Sequence, residues 1–139
     1  MIPDVMIPEI ALRDAVMAHL RADPAVAALV QDKVFDTVPS DDAAAELPWI
    51  AMGPIRSQPV DAGESYGWIV TLKVFAESAD FDRTPAWTIA RAAMTALGKV
   101  QLPDRDVFLD ELKINGAGDV TDPGAIKTVW FDVACLIAG

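Results

Sequence analysis

Apolar side chains recur at helical spacing in three stretches of the chain. The first, Pro8–Arg21, has an apolar residue at every fourth position, which predicts a helix with one buried stripe. A short second helix is predicted over Ala25–Val30, after a break at Asp23-Pro24. The third helix, Thr84–Leu97, has mostly small apolar residues on one face, and Thr84 is its predicted N-cap.

Alternating apolar and polar residues predict two long strands and three short ones. Tyr66–Ala76 has one apolar face and one mixed face, which is typical of an antiparallel sheet covered on one side. Ala125–Ile137 alternates over a similar length. The short strands are predicted over three further ranges: Val34–Val38, Trp49–Met52 and Val107–Ile114.

Four stretches rich in glycine, proline or charge are predicted to be turns or loops. Gly53-Pro54 is expected to end the strand before it, and Pro59–Gly63 to precede the next strand. Glu77–Arg83 is predicted to be a charged loop and Asn115–Gly124 a glycine-rich loop. Strands joined by loops, with helices in two places, indicate an α+β fold. We expect a mainly antiparallel sheet with the two longer helices packed on one face.

Length, charge and hydrophobic content limit the classes of protein to which this chain can belong. Its 139 residues are expected to form a single domain over 1–139. With 11 basic and 21 acidic side chains, its net charge of −10 argues against binding to nucleic-acid phosphates or an anionic membrane. A hydrophobic content of 53% excludes a disordered chain. The mean hydropathy of +0.29 indicates that some apolar surface is covered by another subunit.

Few residues are suited to catalysis or to metal binding. The single cysteine, Cys135, excludes an intramolecular disulfide and a cysteine zinc cage. The single histidine, His19, would have to serve any Ser-His-Asp triad, and we interpret it as a structural side chain. Cys135 alternates with apolar neighbours on a predicted strand, so we interpret it as a core residue.

Two further groups of residues have side chains or glycines of the kind found in ligand sites, and we interpret both as loops. Asp80 and Asp82, with Glu77 nearby, lack the glycine turn and the distal glutamate of a calcium loop. Gly116 and Gly118 are not followed by a helix start of the phosphate-binding type. The sequence therefore predicts no enzyme activity, no metal site and no cofactor. It also has no apolar run long enough to span a membrane and no recognisable targeting signal, so we expect a cytoplasmic origin.

Six segments carry a resemblance that extends over nearly the whole chain. They are, in order, Ala11–Val30, Val34–Pro39, Leu47–Pro54, Trp68–Ser78, Ala86–Leu97 and Trp130–Val133. Their order and spacing resemble those of the small tail-completion or tail-terminator proteins of long-tailed phages and phage-like gene transfer agents. The individual segments are short apolar strings and include no catalytic signature.

The resemblance implies a structural role in a virion or phage-like particle that is assembled in the bacterial cytoplasm. Proteins of this family form a six-membered ring on the head-proximal end of the tail tube. The ring stops polymerisation of the tube and provides the docking surface for the head. The expected partners are further copies of the chain, the tail tube protein and a head-side connector or stopper protein, while DNA passes through without specific binding.

Loops on a rigid sheet usually carry the residues that recognise a partner. We therefore predict the interface in two loops, Glu77–Arg83 and Asn115–Gly124. The candidate interface residues are Arg56, Glu77, Asp80, Phe81, Asp82, Arg83, Asn115 and Asp119. Phe81 is interpreted either as an apolar anchor or as a side chain folded back onto its own domain. Arg56 and Arg83 are expected to pair with acidic groups across a subunit boundary.

Two alternatives to a tail terminator stay open at this point. The first is another head–tail joining protein, such as a stopper or adaptor ring. The second is a small α+β enzyme or ligand-binding domain with a site at a subunit boundary, which would need a concave pocket with convergent polar groups.

Overall fold

Three helices and five strands make up the part of the chain that the computed structural model describes, which is residues 7–39, 47–62, 65–79, 82–99, 102, 106–120 and 126–139. In chain order they are α1 (Pro8–Ala22), α2 (Pro24–Val30), β1 (Val34–Phe35), β2 (Trp49–Ala62), β3 (Ser65–Ser78), α3 (Thr84–Gly98), β4 (Lys113–Val120) and β5 (Lys127–Ala138). The predicted α+β class is confirmed.

The five strands form one sheet in the order β1-β2-β3-β5-β4. Every neighbouring pair is antiparallel except β1 and β2. The register places Phe75 beside Trp130 and Lys73 beside Asp132 in the centre of the sheet. The predicted sheet is therefore confirmed as mainly antiparallel, with its two long central strands adjacent.

The helices cover one face of this sheet, and the core lies between them. Leu12, Val16 and Leu20 of α1 are fully buried, as the four-residue spacing predicts. Alanines on the buried side of α3, such as Ala90 and Ala93, let this helix lie close to β3 and β5. We call the opposite face of the sheet the outer face.

The predicted end of the second strand at Gly53-Pro54 is wrong, as is the predicted loop from Pro59. β2 continues to Ala62, and a shift in its register with β3 between Met52 and Ile55 accommodates Gly53-Pro54. Prolines are tolerated here because β1 pairs only with Ile50 and Ala51 and leaves the remainder of β2 at an edge. β1 is also shorter than the predicted Val34–Val38, since it ends at Phe35.

The fourth strand lies later in the chain than predicted. Over Val107–Ile114 the structure has a turn and a single bridge between Phe108 and Ile137, and β4 begins only at Lys113. The segment predicted as a loop from Asn115 is thus an edge strand as far as Val120, and 121–124 lie outside the described residues. A bulge between Ile114 and Gly116 fits the glycines into the pairing with β5.

Candidate assembly interface

Asp119 brings the two predicted interface segments together. One of its carboxylate oxygens, Oδ2, accepts a hydrogen bond of 3.0 Å from Arg83 Nη1 and another of 3.0 Å from Trp87 Nε1. Asp119 stands next to the end of β4, and Arg83 immediately precedes α3. We call these three residues the Asp119 clasp, because they join an edge strand to the first turn of a helix.

The two contacts of the clasp differ in their expected strength. The Arg83 side chain is 62% exposed, so its ion pair with Asp119 is screened by solvent and contributes at most about 1 kcal/mol. The Trp87 N–H is partly buried, and leaving such a donor without an acceptor costs about 1–3 kcal/mol. The tryptophan contact is therefore the one that holds β4 against α3.

The Asp82 side chain accepts a backbone N–H in the first turn of α3, whose N-cap position is Arg83. Asp82 Oδ1 accepts hydrogen bonds from the backbone N–H of Thr84 at 3.0 Å and from the Thr84 hydroxyl at 2.9 Å. The backbone hydrogen bond from Thr84 is the main reason why the pKa of Asp82 lies below its usual value. The prediction that Thr84 is the cap is wrong, because Thr84 is the first residue of the helix itself.

Glu77 belongs to β3 rather than to the predicted loop, since the strand extends to Ser78. Its Oε2 accepts a hydrogen bond of 2.5 Å from Trp49 Nε1, and its Oε1 accepts one of 3.3 Å from the Thr128 hydroxyl. Glu77 thus links three neighbouring strands on the outer face.

The remaining predicted residues do not join the clasp. Arg56 lies on β2 opposite Thr71, and Asn115 lies in the bulge of β4 at the other side of the sheet. Both side chains are exposed. Asp80 and Phe81 lie outside the described residues.

The structure therefore unites Asp82, Arg83 and Asp119 at one end of the sheet, with Glu77 at the same end on the outer face. Arg83 finds its acidic partner within its own chain, whereas Arg56 forms no ion pair with any other described residue. Two apolar side chains that the sequence reasoning missed, Val120 and Ile126, are 49% and 40% exposed at the same end of the sheet as the clasp. Their position in the sequence, on either side of the polar stretch 121–125, was the signal that could have identified them.

A second polar group, also missed, occupies the centre of the outer face. Lys73 Nζ lies 3.2 Å from Asp132 Oδ1 and 3.8 Å from the centre of the Trp130 ring. The alternation of β3 and β5 placed these residues on the mixed faces of two strands. Their contact depends on the register of Lys73 against Asp132, which the sequence does not specify.

The described residues contain no group of three or more side chains suited to hold a metal ion. None of the helices in the described ranges is long and apolar enough to cross a bilayer. Cys135 is buried, and burial raises the pKa of its thiol to about 11. Its interpretation as a core residue is confirmed.

Comparison with known proteins finds a matching family and a number of similar solved structures, including the following two. The family described as tail completion protein gp17 matches residues 14–138. A chain in the virion of a native gene transfer agent particle is 22% identical, with a TM-score of 0.78 over 92% of this chain and 95% of its own. The bacteriophage SPP1 gp17 protein is also 22% identical, with a TM-score of 0.61 over 94% and 91%. No curated protein matches the sequence.

Proposed function

Because the chain belongs to the tail completion protein gp17 family, as its sequence predicted, we propose that it acts as a tail terminator in a phage or gene transfer agent particle. It is a structural protein of the virion. Copies of it form a ring, expected to be six-membered, at the head-proximal end of the tail tube. The ring stops tube polymerisation and presents the surface to which the head docks.

The family match over 125 residues, 14–138, is the observation that carries this proposal. It includes all five strands, α2, α3 and most of α1, so it extends over the fold as a whole. Catalytic residues are not implied by the family. The likeness to the gene transfer agent chain, which extends over 92% of this protein, supports the same architecture.

The end of the sheet that holds the Asp119 clasp supports the proposal physically. Exposed Val120 and Ile126 lie at the same end of the sheet as the charged residues of the clasp, and apolar residues surrounded by charged ones are the usual composition of a protein interface. A ring is built from heterologous contacts, in which two different surfaces of the same chain meet. This end of the sheet is one of those surfaces.

Electron microscopy of particles from a strain that lacks the gene tests the function. A terminator is required to limit the tube, so the deletion is expected to give overlong tails that are not joined to filled heads. Complementation with the intact gene should restore the normal tail length. Tails of normal length beside unjoined heads would instead assign the chain to a stopper or adaptor ring, and normal joined particles would contradict both roles.

A further inference from the structure

A small cleft on the outer face of the sheet has the composition of a binding site for a carboxylate. It has a volume of about 160 Å³ and is lined by Pro54, Ile55, Arg56, Thr71, Lys73 and Asp132. We call it the Arg56 cleft. Three neighbouring strands contribute to it, since Arg56 lies on β2, Thr71 and Lys73 lie on β3, and Asp132 lies on β5.

The charges of the cleft are only partly balanced within the chain. Lys73 is paired with Asp132, at 3.2 Å, and their side chains are 32% and 22% exposed. Arg56 is exposed and has no ion-pair partner among the described residues. Among the described residues, the cleft therefore carries one positive charge without an acidic partner, in a protein whose net charge is −10.

The positively charged side chains of the cleft are also restrained by their neighbours in the sheet. The register fixes Arg56 beside Thr71 and Lys73 beside Asp132. Lys73 is further restrained by its contact with the Trp130 ring, 3.8 Å away. An arginine with a hydroxyl group beside it and a restrained lysine nearby is a set of donors suited to a carboxylate.

We propose that the Arg56 cleft receives an aspartate or glutamate side chain of a second copy of this chain. This inference rests on the proposed ring and identifies one of its two contact surfaces. Charge complementarity selects the occupant, because each copy has 21 acidic side chains against 11 basic ones. A DNA phosphate would also fit these donors, and the crosslinking experiment below distinguishes DNA from a second copy of the chain.

A photo-crosslinking amino acid at Gln58 tests the occupant directly. Gln58 is exposed and lies two residues from Arg56 on the same strand, so its side chain reaches the same face. After irradiation of purified particles, mass spectrometry is expected to identify adducts between two copies of the chain. A matched probe at Arg91, which is exposed on α3 behind the sheet, controls for random collision.

Substitution of Arg56 then tests the charge. Arg56→Glu should lower the yield of the Gln58 self-adduct at least tenfold, whereas Arg56→Lys should keep most of it. Arg91→Glu, with the same charge change on the other side of the molecule, should leave the adduct unchanged. Circular dichroism of the purified variants establishes that each is folded. Arg56→Glu could also prevent the protein from entering particles. In that case the amount of this variant in purified particles, compared with the amount of Arg91→Glu, replaces the crosslink yield as the measurement.

The outcomes separate the cleft from the function. Adducts to the tail tube protein or to DNA, or no adduct at all, would overturn the inference, as would an undiminished self-adduct in Arg56→Glu. If the crosslinks fail in one of these ways while the gene deletion gives overlong tails, only the assignment of the cleft is wrong. If the deletion gives normal joined particles, the proposed function fails irrespective of the crosslinks.

Discussion

Gly118 is a position on the outer face of the sheet where an added methyl group would not fit. A Cβ atom at this position would lie 2.8 Å from the Trp130 ring, which is closer than side chains tolerate. A Cβ at Gly116, two residues earlier on the same strand, would meet nothing within 4 Å. The two glycines therefore form a matched pair for substitution.

We predict that Gly118→Ala lowers the free energy of unfolding by about 1–2 kcal/mol, because the Trp130 ring must move away from its place beside Lys73. Gly116→Ala should change it by no more than about 0.5 kcal/mol. Urea unfolding followed by tryptophan fluorescence measures both. Equal effects of the two substitutions would contradict the close packing of Trp130 on β4.

The buried thiol of Cys135 gives a second prediction at this scale. With burial raising its pKa to about 11, only about one thiol in a thousand is ionised at pH 8, against roughly a quarter for an ordinary cysteine of pKa ~8.5. A disulfide-exchange reagent should therefore label the native protein at least about 100-fold more slowly than the same protein unfolded in urea. Labelling at similar rates in the two states would show that the thiol is accessible.

At the scale of elements, the Asp119 clasp determines how firmly the edge strand β4 is attached to α3. Asp119→Ala removes the acceptor of the Trp87 N–H, and we expect it to lower the free energy of unfolding by about 1–2 kcal/mol. Asp119→Asn keeps an acceptor oxygen and should cost less than half as much. The measurement is urea unfolding.

Asp36→Ala is the matched control for this comparison. Asp36 pairs with Arg13 at 3.3 Å, and its side chain is 52% exposed, so its loss should cost about 0.5 kcal/mol or less. If Asp119→Ala proves no more destabilising than Asp36→Ala, the clasp does not stabilise β4.

Elements whose apolar residues recur at regular spacing were predicted from the sequence, and elements at the edges of the sheet were not. The inward faces of α1 and β3 follow directly from the spacing of their apolar residues. β2 beyond Gly53 and β4 from Asn115 were missed because proline and glycine signal turns locally, whereas an edge position or a bulge tolerates them. Tertiary context overrode the local signal in both strands.

The sequence suggested some residues of the candidate interface, but not the geometry that brings them together. Arg83 and Asp119 were both expected at the interface, yet their contact depends on β4 lying at the far edge of the sheet, beside β5. Trp87 was missed because nothing in the sequence says that the flank of α3 faces this edge. Lys73 and Asp132 were missed for the same reason, since register determines their meeting.

For the molecule as a whole, one core joins all three helices to the sheet. Buried side chains from α1, α2, α3 and the strands belong to a single cluster. We therefore predict that the 139-residue chain unfolds in one cooperative transition, as a single domain should. Far-ultraviolet circular dichroism and tryptophan fluorescence are expected to give the same midpoint in urea. Two separated midpoints would contradict the single-domain assignment.

Two glycines lie against aromatic rings on the outer face, and they constrain how the sequences of related proteins can differ. Gly118 lies against Trp130, and a Cβ at Gly53 would meet the Phe75 ring in the same way. Each glycine is required only as long as its aromatic partner is present. Among relatives of this protein, the members of each pair should change together, so that a larger residue at position 53 or 118 accompanies a smaller one at position 75 or 130.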